Sequence, residues 1–265
     1  MVVNWKMKDK KLVWVTGASS GIGRAVSLRL AKLGYKVAVT ARREEKLKEL
    51  TNINNNIISY PCDITDRSAI KTLIEKIESE QGNIDIALLN AGARYQSKDL
   101  NIFGDSFRKT LEINLFGTVN CLEAITIPMM KRKKGHIAIV SAIGGYLGTP
   151  FLGIDYVTSK AAQRIIFESA KIPLEKKNIK LQIICPGFVE TDLINDNIIK
   201  YISKVPVDKA AIKICDGLES NKFEITFPKI LSLLVKLIRI IPYRFSFWLG
   251  KNWLKWIRVF NVFIK

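Results

Sequence analysis

The sequence holds a single histidine, His136, in 265 residues. A histidine metal site or a Ser-His-Asp triad would rest on that one side chain, and neither is expected. Cysteine is scarce as well. Cys62, Cys121, Cys185 and Cys215 form no C-x-x-C pair. Three of them sit inside apolar runs, so they read as reduced, buried thiols of a cytosolic protein. Acidic residues are few: 24 Asp and Glu face 42 Lys and Arg, a formal net charge of +18. Such an excess points to an anionic partner: nucleic acid, an anionic membrane or a phosphorylated ligand. The most concentrated basic block is also apolar and carries no recognition motif, so nucleic acid is not expected. There is no internal repeat and no low-complexity linker. The basic stretch Met1–Lys11 lacks an apolar core segment and is not expected to be a secretory signal. With 48% hydrophobic and 25% charged residues, the chain suits one globular α/β domain with at most an appendage.

Short β-branched runs alternate with longer amphipathic ones. Strands are expected at Leu12–Thr16, Lys36–Thr40, Ile57–Tyr60, Ile84–Asn90, His136–Val140, Lys180–Cys185 and Phe223–Phe227. Helices are expected at Ile22–Leu33, Glu44–Leu50, Asp66–Glu80, Gly104–Met130 and Tyr156–Glu175. Alternating βαβα units of this length predict a doubly wound, Rossmann-like parallel sheet of about seven strands, with helices on both faces.

The first strand runs into Thr16-Gly17-Ala18-Ser19-Ser20-Gly21-Ile22-Gly23 and then a helix. That context gives the glycines meaning. Gly17 allows a tight exit from the strand, and Gly21 and Gly23 let a pyrophosphate approach backbone N–H groups at a helix N-terminus. Ser19, Ser20 and Ile22 belong to the same turn. The second strand ends Thr40-Ala41-Arg42-Arg43. An acidic residue there would accept from a ribose 2′-hydroxyl; arginines suit a 2′-phosphate instead, so NADP(H) is the expected cofactor. Asp63 and Ile64 follow the third strand, where an adenine ring would lie. Asn90, Ala91 and Gly92 end the fourth strand at the same sheet edge.

Tyr156 and Lys160, four residues apart, share one helical face. A tyrosine with an ordinary pKa near ~10 is a poor acid–base group at neutral pH, and a neighbouring ammonium favours its phenolate. Together, Thr16–Gly23, Asp63, Asn90–Gly92, Asn114, Tyr156-Val157-Thr158-Ser159-Lys160 and Pro186-Gly187-Phe188-Val189-Glu190-Thr191 resemble the short-chain dehydrogenase/reductase family from about Lys11 to Phe227. The resemblance implies that Tyr156 exchanges the substrate proton and that Lys160 tunes it and holds the nicotinamide ribose. It further implies that Asn114 positions a water linking Lys160 to solvent, and that Pro186, Gly187, Val189 and Thr191 cradle the nicotinamide. The chemistry implied is hydride transfer between nicotinamide and a carbonyl or secondary alcohol. One departure stands out. The family places a hydroxyl where this chain has Ala142, and Ser141 comes one residue earlier. A one-residue shift reverses a strand side chain, although a bulge can restore it. Ser141 is read as the polarising hydroxyl, the alternative being a site without that donor. That alternative would make the chain a cofactor-binding homologue with weak or lost catalysis. Asp155 is expected to cap the helix carrying Tyr156.

The segment Asp192–Pro206 is rich in Leu, Ile and Val and is expected to cover the site, favouring an apolar, lipid-, steroid- or fatty-acyl-like substrate. The domain is taken as 1–228 and the remainder, 229–265, as an amphipathic appendage with eight Lys or Arg, no acid and three tryptophans. It contains no run of ~18 uncharged apolar residues. Within Ile230–Ile241, Leu231, Leu234, Val235 and Ile238 are expected to meet lipid, with Lys229, Ser232, Lys236 and Arg239 on the polar side. Pro242 should break the helix. Phe245, Trp248, Leu249, Trp253, Trp256 and Phe260 follow as interfacial residues. A cytoplasmic protein lying peripherally on an anionic membrane is expected, with a homo-oligomer interface as the competing use of the same surface.

Overall fold

The computed structural model describes residues 11–95, 103–148, 152–191, 193 and 204–251. The strands are β1 Leu12–Thr16, β2 Lys36–Thr40, β3 Ile57–Ser59, β4 Ile84–Leu89, β5 Gly135–Val140, β6 Ile179–Pro186 and β7 Glu224–Phe227. They form one sheet in the order β3-β2-β1-β4-β5-β6-β7, with every pairing parallel. The helices are α1 Gly21–Lys32, α2 Glu44–Ile53, α3 Arg67–Gln81, α4 Asp105–Leu111, α5 Gly117–Lys131, α6 Ile154–Glu175, α7 Val207–Glu219, α8 Lys229–Ile240 and α9 Tyr243–Lys251.

Strand side chains alternate between faces, so one strand feeds two cores. Leu12 and Trp14 join Ile70, Ile125, Met129 and Phe167, under α3, α5 and α6. Val13 and Val15 join Val26, Leu47, Leu50 and Ile214, under α1, α2 and α7. Both faces are covered, which is why the strands read as continuous apolar runs rather than alternating ones. Strand order reverses between β1 and β4. The loops leaving those two strands part there and leave a crevice at the carboxyl edge of the sheet.

Four expectations change. The helix expected over Gly104–Met130 is divided by a π-helical turn, Glu112–Phe116, and α7 was not foreseen. The rod Asp105–Lys131 is long and apolar enough to cross a membrane by composition, but its Cys121, Ile125 and Met129 are fully buried in the core. The boundary at 228 does not detach α8: Val235 is buried in the core, with Leu231 packed against it. Docking takes residues from both expected sides of α8, Val235 and Leu231 from the lipid side and Ser232 and Lys236 from the polar one. Ser232 is buried with Val235, and Lys236 pairs with Glu224 and lies 5.1 Å from the Tyr146 ring. The outward stripe is Ile230, Leu233, Leu237 and Ile240, all exposed. Two of its four polar positions, Ser232 and Lys236, are taken inward, so periodicity alone could not choose the inner side. A break does fall at Pro242, between α8 and α9. Of the cover expected at Asp192–Pro206, residues 192 and 194–203 lie outside the described residues, as do Trp253, Trp256, Phe260 and the side chain of Leu249.

Candidate active site

A cleft of about 500 Å³ opens at the carboxyl edge of the sheet. Its floor is the β1–α1 turn. Gly17 has φ +68°, and a Cβ there would come within 2.6 Å of Ala91 Cα. Two strand-end turns cross at that point, and only glycine fits. Asn90 Nδ2 donates to the carbonyls of Thr16 (3.1 Å) and Gly17 (3.3 Å), and Thr16 Oγ1 accepts from the N–H groups of Asn90 and Ala91. The two turns are therefore locked together. Gly23 has a different role from the one expected. It lies behind the turn, where a Cβ would sit 2.4 Å from Asn90 Nδ2 and from the Gly17 carbonyl, so it serves packing rather than the cleft.

Ser19, Ser20, Gly21 and Ile22 line the cleft. The first turn of α1 has no acidic residue, and Ser20 makes no side-chain cap. Its leading N–H groups thus remain available to an anion and carry the positive end of the helix dipole. Arg43 reaches across from the end of β2. Its Nη2 donates to Ser19 Oγ and Ser20 Oγ, both at 2.8 Å. Arg42 lies 3.8 Å from Asp63 Oδ2, an exposed pair of small energetic weight. Asp63 Oδ1 accepts from the Thr65 N–H and hydroxyl. Ile64 is buried, and its carbonyl accepts from Asn120. These residues form the basic, nucleoside-sized end of the cleft, and the site fits a pyrophosphate with an extra phosphate near Arg43.

At the opposite end stand Tyr156, Lys160, Ser141 and Ala142, with Pro186, Gly187, Val189 and Thr191 along the wall. Lys160 is 4% exposed. Its Nζ donates to the Val140 carbonyl (2.8 Å) and to Gln163 Oε1 (3.1 Å), and lies 5.8 Å from the centre of the Tyr156 ring. Burial pushes the Lys160 ammonium down to about 8. Burial pushes the Tyr156 phenol up to about 12, with Arg94 acting in the opposite sense. In the protein alone, then, the tyrosine is held neutral.

Asn114 is fully buried in the π-helical turn and does not line the cleft. Its Oδ1 accepts from the Ala93 N–H (2.7 Å), and its Nδ2 donates to the Ala93 carbonyl and to Ser159 Oγ. It clamps the loop after β4 onto α6. Gly92 faces it: a Cβ there would lie 3.3 Å from Asn114 Oδ1. Ser141 departs from its expected role. It is 2% exposed, and its hydroxyl donates to the Lys160 carbonyl at 2.9 Å. A hydroxyl has one proton, and here it is directed at α6 rather than at a substrate. Asp155 does not cap α6, whose N-cap is Gly153; it accepts from Thr110 Oγ1 at 2.6 Å. His136, at the far end of β5, is buried and held down at about 3, so it remains neutral and plays no part in acid–base chemistry at the cleft. Burial raises the thiols of Cys185 and Cys215 to about 12.

Two residues of the site escaped the sequence reading: Arg94 and Gln163. Only Gln163 carried a signal, a polar residue on the Tyr156–Lys160 side of α6.

Comparison with known proteins agrees with this geometry. The sequence model described as short chain dehydrogenase matches residues 11–200. Human dehydrogenase/reductase SDR family member 7 is 34% identical over 209 residues, 76% of this chain and 61% of that protein. The chain therefore spans about three fifths of the length of these relatives. Staphylococcus aureus 3-oxoacyl-[acyl-carrier-protein] reductase FabG is 29% identical over 192 residues, 71% of this chain and 78% of that protein. Among solved structures, ElxO with NADP bound superposes with a TM-score of 0.73 at 26% identity, covering 82% of this chain and 98% of that one. A Streptomyces avermitilis short-chain dehydrogenase, 23% identical, shares the fold with a TM-score of 0.77 over 92% of this chain and 96% of that one.

Proposed function

The chain belongs to the short-chain dehydrogenase/reductase family, and from that premise we propose that it is an NADP(H)-dependent oxidoreductase interconverting a carbonyl group and an alcohol. The observation that carries this is a single cleft with two chemically different ends: Arg43 tied to Ser19 and Ser20 at one, Tyr156 and Lys160 at the other. Gly17, Ser19, Ser20, Gly21 and Ile22 would hold the pyrophosphate, Arg42 and Arg43 the 2′-phosphate, and Asp63 and Ile64 the adenine. Asn90, Ala91 and Gly92 would lie along the middle of the cofactor, and Pro186, Gly187, Val189 and Thr191 would receive the nicotinamide. When bound, NADP(H) supplies or accepts the hydride. Tyr156 would hold the proton exchanged with the substrate oxygen, and Lys160 would orient the ribose beside it. The 3-oxoacyl-[acyl-carrier-protein] reductase among the relatives supports a carbonyl substrate. The apolar composition of 192–206 supports a hydrophobic one.

The test is NADPH oxidation with a panel of ketones, aldehydes and fatty-acyl carbonyl compounds. Tyr156→Phe is expected to keep NADPH binding and to lose at least ~10²-fold in turnover. Replacing Arg42 and Arg43 by Ala is expected to weaken NADPH about tenfold or more, with little change for NADH, since a charged bidentate contact contributes ~1.5–3 kcal/mol. Equal loss for both cofactors would remove the NADP(H) assignment. A second reading, a cofactor-binding homologue with weak catalysis, is favoured by one observation: the polarising hydroxyl is missing at Ala142 and turned away at Ser141. NADPH binding without turnover across the panel would select it.

A peripheral membrane position belongs to the same proposal. The outward stripe of α8 and the exposed Tyr243, Phe245, Phe247 and Trp248 of α9 offer apolar and interfacial side chains. Lys229, Arg239 and Arg244 flank them, with no acid in either helix. That composition fits an anionic lipid surface.

A further inference from the structure

Gln163 stands three residues after Lys160 on α6, at 1% exposure. Its side-chain amide makes three bonds. Nε2 donates to the Asn114 carbonyl at 2.6 Å and to Thr118 Oγ1 at 3.1 Å, and Oε1 accepts from Lys160 Nζ at 3.1 Å. The Asn114 carbonyl also accepts from Thr118 Oγ1 at 2.7 Å. A carbonyl oxygen has two lone pairs, and both are now engaged. The π-helical turn Glu112–Phe116 carries this carbonyl, and turns of that kind offer a main-chain oxygen sideways, out of the regular helical ladder. The bridge the resemblance gives to a water held by Asn114, between Lys160 and solvent, is thus made by a protein amide.

We propose that Gln163 is the positioning residue of the Tyr156–Lys160 pair. It fixes the lysine ammonium by bridging it to Asn114, and it closes the interior route by which that ammonium would exchange protons. The inference rests on the oxidoreductase reading for its consequence, but not for its geometry. An amide has no proton that titrates near neutrality, so it transmits position, not protons. Proton exchange at the pair then runs through the open cleft. Because the network is buried and every polar atom of the amide is satisfied, it holds the lysine in one place.

The direct test is NMR titration of the Lys160 side chain, its Cε–Nζ signal assigned by its loss in Lys160→Met. This readout needs neither substrate nor turnover. Gln163→Met removes an acceptor of the charged form at nearly constant volume, and is expected to lower the Lys160 pKa by half a unit or more. Gln163→Glu sets a carboxylate beside the ammonium and is expected to raise it by at least one unit; being isosteric, it carries the test if the Met variant does not fold. A third variant separates bridging from filling. Gln163→Ala leaves room for a water between Lys160 and Asn114, so it is expected to titrate closer to wild type than Gln163→Met and to keep more of the turnover. A residue that only fills space predicts the reverse, because Ala leaves a cavity and Met does not. Lys160 titration unchanged in both Met and Glu variants, or Met superior to Ala, would overturn the proposal. If Lys160 shifts as expected while no carbonyl compound is turned over by the wild type, the positioning role stands and the oxidoreductase reading falls.

Discussion

Where the family places a carbonyl-polarising hydroxyl, the cleft is lined by Ala142, in extended backbone directly after Ser141. A hydroxyl at 142 would sit on the strand-end face shared with Tyr156, whereas the one at 141 is bonded to the Lys160 carbonyl. Ala142→Ser is therefore expected to raise kcat on a carbonyl substrate, by up to the ~10²-fold associated with one well-placed donor. Ser141→Ala should leave kcat nearly unchanged and cost about 1 kcal/mol of stability, the usual worth of one buried hydrogen bond. Steady-state kinetics and urea unfolding of the two variants check both. A large fall in kcat for Ser141→Ala, with no gain for Ala142→Ser, would show that Ser141 turns toward the substrate during the reaction.

Among the elements, α8 joins two tasks. Its inner side, Ser232 and Val235, closes the core beside β7, and its first turn buttresses the cleft wall. A Cβ on Gly187 would come within 3.2 Å of Leu231. Its outer side shows Ile230, Leu233, Leu237 and Ile240, side chains whose full burial stabilises by roughly 1.5–3 kcal/mol each. The full chain should float with anionic vesicles at low salt and bind less at high salt, where the basic flanks are screened. Leu233→Glu combined with Leu237→Glu should abolish flotation while changing folding stability by less than about 1 kcal/mol, since both positions are exposed. Loss of a dimer in analytical ultracentrifugation, with flotation unaffected, would assign the stripe to a subunit interface instead.

For the molecule as a whole, acid should be the weak side. His136 is buried, and burial together with Lys180 holds it near 3 instead of the ordinary 6.5, with the Gln182 side chain acting in the opposite sense. Between those values the unfolded chain binds the proton and the folded chain does not. Stability therefore rises with pH across this window and falls as pH drops from 6.5 toward 3, by roughly 4–5 kcal/mol for the full difference. His136→Leu should be nearly neutral at pH 7 and should flatten that acid slope in urea titrations at pH 4 and pH 7. An unchanged slope would place the acid-sensitive group elsewhere.

Much of this was fixed along the chain itself. Uninterrupted runs such as Leu12–Val15 and Ile86–Leu89 announce strands buried on both faces, and the order of runs and helices announces a parallel sheet. The glycine turn, the two arginines and the Tyr156–Lys160 spacing are local features, each within a few residues, so they could be read without coordinates. What escaped depends on groups far apart in sequence meeting in space. The inner side of α8 is decided by Glu224 and Tyr146, which hold Lys236. The direction of the Ser141 hydroxyl is decided by a carbonyl nineteen residues on. The place of Gln163 follows from a main-chain oxygen forty-nine residues earlier, turned toward it by one π-helical turn. Periodicity assigns a residue to a face; only packing assigns its hydrogen bonds, because a buried polar group must find whichever partner the fold brings within 3 Å or so.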